Sequence, residues 1–131
     1  MLANPPTYRP SAQSILIVDD NDIILDMLTK AFEMFGLNVL RADNGLDAWN
    51  LFKSEKVDIV LTDIRMPYLN GLELSRLIRN VSPKTTIALI TGGDGDVAAK
   101  LVKDGTADCF FTKPFDLNNV CKTLITQAQK A

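Results

Sequence analysis

"ILIVDDND", residues 15–22, places four aliphatic residues directly before Asp19, Asp20 and Asp22. An unbroken apolar run of this length reads as a β-strand buried on both faces, and the acids mark where it leaves the core. Carboxylates so close repel and disfavour one another's ionisation. The end of this strand is therefore a place prepared for positive charge.

Outward from it, four more short segments rich in β-branched or aromatic residues read as strands: 38–42 (NVLRA), 57–62 (VDIVLT), 85–90 (TTIALI) and 107–112 (ADCFFT). The third is apolar enough to be buried on both faces, like the first. Helical spacing fills the gaps. Ile23, Ile24, Met27, Leu28, Ala31, Phe32 and Phe35 form one stripe, with Gly36 as its stop. Asn44 and Gly45 open a second helix with Leu46, Trp49 and Phe52 inward. Leu74, Leu77, Ile78 and Val81 mark a third, Val97, Ala98, Leu101 and Val102 a fourth, and Leu117, Val120, Cys121, Leu124 and Ile125 a fifth. Strand and helix alternate five times. Right-handed crossovers then give an α/β fold, a doubly wound five-stranded parallel sheet with five helices on its two faces. Residues 1–13, with Pro5, Pro6 and Pro10, read as a flexible N-terminal tail, and 14–131 as one domain.

Composition excludes several classes. The 131 residues carry 14 Lys and Arg against 16 Asp and Glu, a net charge of −2, which is no electrostatic footprint for nucleic acid or an acidic membrane. Cys109 and Cys121 are too few for a disulfide framework and lack metal-site spacing, which favours a reducing, cytoplasmic setting. Neither a membrane span nor a signal peptide is visible. There is no histidine, so imidazole catalysis and a phosphohistidine-carrier role are excluded.

Ligands of open parallel sheets bind at the carboxyl ends of the strands. That edge brings Asp19 and Asp20 after the first strand, Asp63 after the third, Thr91 after the fourth and Lys113 after the fifth. Three carboxylates, one divalent cation and Lys113 sum to zero charge, and an all-oxygen site suits Mg²⁺ or Mn²⁺. A cation and a lysine beside a carboxylate suit phosphoryl transfer, with the carboxylate as nucleophile. Asp63, alone on the central strand, is the best nucleophile. Taken singly, each residue has an ordinary structural use: Asp20 or Asn21 as cap of the first helix, Asp22 in its solvated first turn, Thr91 as a strand-end cap, Lys113 as a surface lysine. Gly92, Gly93 and Gly95 lack the Lys and Ser or Thr of a P-loop and serve turn flexibility.

"VDD" at 18–20, "DIRMPYLNGLEL" at 63–74, "ITGG" at 90–93 and "TKPF" at 112–115 together resemble the receiver domain of two-component response regulators, the single-domain fold of the chemotaxis regulator. The resemblance covers about residues 14–128. It implies a flavodoxin-like sheet in the order 2-1-3-4-5 and a phosphoacceptor switch rather than an enzyme acting on other substrates. It further implies Asp63 as phosphoacceptor, Asp20 as direct metal ligand, Asp19 holding the metal through water, and the Arg65 backbone carbonyl as another metal contact. Lys113 and Thr91 would meet the phosphoryl oxygens, and Pro114 would fix the Lys113 loop, through a cis peptide bond as in relatives. Phe110, three residues before the lysine, stands where relatives carry a switching ring, commonly tyrosine. A plain core aromatic is the competing use of Phe110.

The implied donor is a histidine kinase or histidine phosphotransfer protein, and the implied output surface spans residues 96–128, toward a downstream protein or a second copy of the chain. Arg65 and Gly93 occupy positions that in relatives influence how water reaches the acyl phosphate. Gly105 stands eight residues before Lys113 where relatives usually show seven, which predicts a shifted loop before the last strand. Competing functions are a haloacid dehalogenase-like aspartyl phosphatase (from the Asp-x-Asp at 20–22), a flavodoxin-like cofactor carrier, and an interaction module working without phosphorylation.

Overall fold

The computed structural model describes residues 12–130. Its elements alternate as expected: β1 (Ser14–Val18), α1 (Asp22–Met34), β2 (Asn38–Ala42), α2 (Gly45–Ser54), β3 (Ile59–Asp63), α3 (Gly71–Val81), β4 (Thr86–Thr91), α4 (Gly95–Lys103), β5 (Cys109–Thr112) and α5 (Leu117–Lys130). The five strands form one parallel sheet in the order β2-β1-β3-β4-β5. Of the expected tail, Gln13 is tied to the sheet through its carbonyl, which accepts from the Asn38 N–H at 3.0 Å. Residues 1–11 lie outside the described residues.

β1, β3 and β4 are buried along their whole length, which is why their sequences are apolar on both faces. Ile15, Ile17, Ile59, Leu61, Ala88 and Ile90 face α1 and α5, whose Leu28, Phe32, Cys121 and Leu124 complete that core layer. Leu16, Val18, Val60, Ile87 and Leu89 face α2, α3 and α4, represented by Ala48, Leu74, Ile78, Ala98 and Leu101.

Several expected boundaries and faces shift. β3 begins at Ile59 rather than 57; just before it, Asp58 donates its N–H to the Ser14 carbonyl at 2.9 Å, accepts the Thr86 N–H on its own carbonyl at 3.0 Å and receives the Ser14 N–H on its carboxylate at 2.8 Å. β4 runs from Thr86 to Thr91, not 85–90. β5 begins at Cys109 rather than 107: the Ala107 N–H is taken by the Leu101 carbonyl at the end of α4, and the Asp108 carboxylate receives the Ile87 N–H. In α1 the buried stripe is Leu25, Leu28, Thr29 and Phe32, whereas Ile23 and Met27 are exposed, at 72% and 44%. Leu46, Leu77, Val81 and Val97 likewise face outward. Asn21 caps α1, accepting from the N–H groups of Ile23 and Ile24, and Asp22 is exposed in the first turn as expected. Gly36, at φ +90°, follows the helix in the left-handed conformation that ends it.

Two glycines set how closely α2 and α3 approach the site loops. A Cβ on Gly71 would lie 2.1 Å from the Asp63 carbonyl oxygen, and one on Gly45 1.7 Å from that of Leu69. Asn70 and Glu73 close a capping box at the start of α3. Arg79, near the end of the same helix, donates to the carbonyls of Thr106, Pro83 and Thr85 and to the Asp108 carboxylate. It braces the sheet end remote from the acidic cluster.

Candidate functional site

The carboxyl edge of the sheet gathers the acids at the point where strand order reverses between β1 and β3. Asp19 follows β1, its N–H donating to the Ala42 carbonyl at 3.2 Å, and Asp63 ends β3 opposite Ile90. Asp19, Asp20 and Asp63 each bring a carboxylate oxygen into one group within 4.8 Å. Asp22 is not part of it.

Lys113 enters from the far side of the cleft. Its backbone N–H donates to the Thr91 carbonyl at 2.8 Å, and its Nζ donates to Asp63 Oδ2 at 3.1 Å. The Lys113–Pro114 bond is cis, as the resemblance implied. Gly105, at φ +85°, turns the chain out of α4, and in the strand that follows Cys109 pairs with Ala88 and Thr112 with Thr91.

Asp19 is fully buried. Its Oδ1 accepts the Asn21 N–H at 2.8 Å, but its Oδ2 has no hydrogen-bond partner, with Lys113 Nζ at 3.7 Å, too far for a hydrogen bond. Burial pushes the Asp19 carboxyl above its usual range against the Asn21 N–H, and the charge of Asp63 adds to the rise. Burial works to lower Lys113, but its hydrogen bond to Asp63 and the charges of Asp19 and Asp63 outweigh that and hold it above the ordinary lysine value. One lysine faces three carboxylates. A buried carboxylate oxygen without a donor, beside two further acids, fits a hard divalent cation.

Thr91 is 1% exposed, and its Oγ1 accepts the Asp94 N–H at 2.9 Å. The Arg65 N–H donates to Asp63 Oδ1 at 3.4 Å, while its exposed guanidinium forms a two-point ion pair with Asp94, Nη2 to Oδ1 at 2.6 Å and Nε to Oδ2 at 2.5 Å. Phe110 packs, partly buried, against the layer that contains Leu89, Ala98 and Leu101. Gly92, Gly93 and Gly95 have open space where a Cβ would stand.

Asp94 is the participant that sequence reading missed. An aspartate three residues past a strand-end threonine and directly before a helix was the available signal, but it points to a cap rather than to an arginine 29 positions away.

Fold and site together define a doubly wound α/β module that gathers an acidic trio and one lysine at the switch point of a five-stranded parallel sheet. The family model for the response regulator receiver domain matches residues 15–125, and the chain belongs to that family. It is 37% identical over 117 residues to the response regulator protein PilR of Pseudomonas aeruginosa, covering 88% of this chain and 26% of that protein. It is 33% identical over 115 residues to the autoinducer 1 sensor kinase/phosphatase LuxN of Vibrio harveyi, covering 86% and 13%. The chain thus spans about a quarter or less of these relatives. Among solved structures, a response regulator receiver domain protein from Clostridium thermocellum superposes with a TM-score of 0.84 at 28% identity, over 90% of this chain and 95% of that one. No helix among the described residues is long and apolar enough to cross a membrane.

Proposed function

We propose that the chain is a phosphorylation switch in which Asp63 accepts a phosphoryl group from a phosphohistidine of a histidine kinase or histidine phosphotransfer protein. The observation that carries this reading is the Lys113 Nζ contact to Asp63 at 3.1 Å beside the converging Asp19 and Asp20 carboxylates. An oxygen of Asp63 attacks phosphorus, the bond from phosphorus to the donor imidazole nitrogen breaks, and the product is an acyl phosphate. Lys113 orients Asp63 and then meets the phosphoryl oxygens. Asp19, Asp20, Asp63 and the Arg65 carbonyl would hold Mg²⁺, with Mn²⁺ as a substitute. The cation supplies fixed positive charge against the developing phosphoryl charge.

The acyl phosphate carries about −1.5 to −2 charge in place of the single negative charge of the Asp63 carboxylate, and it spreads that charge over three phosphoryl oxygens. The Thr91 hydroxyl then turns to the new oxygens, and Phe110 moves into the space that it leaves. The surface of residues 96–128 changes shape for a downstream protein or a second copy of the chain, in the cytoplasm. Lacking a hydroxyl, Phe110 responds by packing alone. The phosphatase alternative loses its further acid, since Asp116 accepts the Asn119 N–H in the first turn of α5.

Intact-mass analysis after incubation with acetyl phosphate, with and without Mg²⁺, tests the reading on the native chain and on Asp63→Asn. The expected result is one Mg²⁺-dependent phosphate adduct, absent from the variant. No adduct on folded, Mg²⁺-binding protein would overturn the switch and leave an interaction module that works without phosphorylation.

A further inference from the structure

Asp94 occupies the N-cap position of α4, yet its side chain makes no capping hydrogen bond. Aspartate is among the best residues for that position because its carboxylate accepts the N–H of the second or third helical residue, here Asp96 or Val97. The carboxylate is committed elsewhere: both of its oxygens are held by Arg65. The other helix caps show what is missing. Asn21, Asn44 and Asn70 each accept first-turn N–H groups on their side chains.

Arg65 stands two residues beyond Asp63, with its own N–H on Asp63 Oδ1. A guanidinium takes a phosphoryl group by the same two-point geometry that it uses on a carboxylate, and the phosphoryl group carries more charge. The backbone of Asp94 is in turn tied to Thr91 Oγ1. Asp94 is therefore held by two residues that flank Asp63: Arg65, whose backbone N–H lies on Asp63 Oδ1, and Thr91, which ends the strand paired with β3.

We propose that Arg65 withholds the Asp94 carboxylate from α4 in the unphosphorylated chain, and that phosphorylation of Asp63 draws Arg65 away and frees Asp94 to cap the helix. The inference rests on the reading of Asp63 as phosphoacceptor. It makes the first turn of α4 a direct register of the charge at Asp63: uncapped before phosphorylation, capped after. One ion pair is exchanged for another, and Asp94 turns from φ −109°, ψ 34° to the extended backbone that Asn21, Asn44 and Asn70 adopt, at ψ 111°, 163° and 170°, as its side chain swings to its own helix.

Amide hydrogen exchange at Asp96 and Val97, followed by NMR on the full chain, tests this. In the unphosphorylated native chain both amides exchange fast. In Arg65→Gln without any phosphodonor, at least one of them slows about fivefold, the change that an ordinary helix cap gives. After acetyl phosphate and Mg²⁺, with the adduct verified by mass, the native chain slows by the same factor and Arg65→Gln shows no further change. Asp94→Ala, which can neither pair nor cap, stays fast throughout.

Unchanged exchange in Arg65→Gln overturns the proposal, whatever happens at Asp63. An adduct on the native chain without slower exchange overturns the phosphoryl trigger. A missing adduct overturns the phosphoacceptor reading and the trigger with it, while the Arg65→Gln arm still decides whether the cap is withheld.

Discussion

Replacing Asp19 by Asn should stabilise the metal-free protein. The substitution keeps an oxygen to accept the Asn21 N–H, removes the charge from a fully buried position, and gives the unpartnered Oδ2 site a donor that can face neighbouring carboxylates. An unsatisfied buried polar atom costs about 1–3 kcal/mol. The lost attraction to Lys113, at 3.7 Å and shared with Asp63, offsets about 0–1 kcal/mol. A net gain of about 1–2 kcal/mol corresponds to a Tm higher by about 3–10 °C for a domain of this size. Excess Mg²⁺ should reverse the order. A ligand at about 100 times its Kd adds ~2.7 kcal/mol to the native chain, whereas the variant has given up one of its three carboxylates. Thermal melts in EDTA and in Mg²⁺ read both halves. A variant that melts below the native chain in EDTA would refute the reasoning, because Asp19 would then be stabilised by Lys113 and Asn21 more than its burial costs.

Gly71→Ala should lower the urea midpoint by an amount equal to about 1–3 kcal/mol, since the new methyl group meets the Asp63 carbonyl oxygen at 2.1 Å; equal midpoints would mean that α3 can withdraw freely. Burial pushes the Cys109 and Cys121 thiols up to about 11, so at pH 8 their alkylation should run about a hundredfold slower than that of the unfolded chain, whose thiols stand near 9.0. Because the unfolded thiols lose their protons first, that contribution to stability is complete below pH 9 and is lost as pH rises towards 11, which chemical denaturation across that range can follow. Arg79→Met strands the carbonyls of Thr85 and Thr106 and should cost about 2–3 kcal/mol in equilibrium unfolding, while leaving the Mg²⁺ response of Tm intact.

The sheet and its edge were legible because a strand buried on both faces can hardly be written except as "ILIV" or "IVLT", and because a parallel sheet has only one edge where acids can gather. Asp19, Asp20, Asp63, Thr91 and Lys113 fall at strand ends for that reason. The helix faces were less legible. In α1, Ile23, Met27 and Met34 repeat with helical spacing as well as Leu25, Leu28 and Phe32 do, and only contact with the sheet selects the second set. Periodicity states that a stripe exists, and packing states which one is inside. Long-range polar contacts left no trace in the sequence at all: Arg65 with Asp94 and Arg79 with Asp108 each span 29 positions, and an arginine carries no mark of the partner it will meet.

The Arg79 brace has a mechanical consequence. It fixes the loop that leaves α4, whose last turn is further sealed by the Gly105 and Ala107 N–H groups on the Val102 and Leu101 carbonyls. At the opposite end of α4 the polar ties run through Asp94, by a side-chain ion pair and one bond to Thr91, with the small Ala98 packed in the core behind the first turn. A rod pinned at its heel does not slide; it swings. α4 is about 13 Å long, so a swing of roughly 10° carries its first turn about 2 Å and its last turn almost nowhere. A partner that gauges this helix must therefore touch the Asp96 and Val97 end, where the arc is widest.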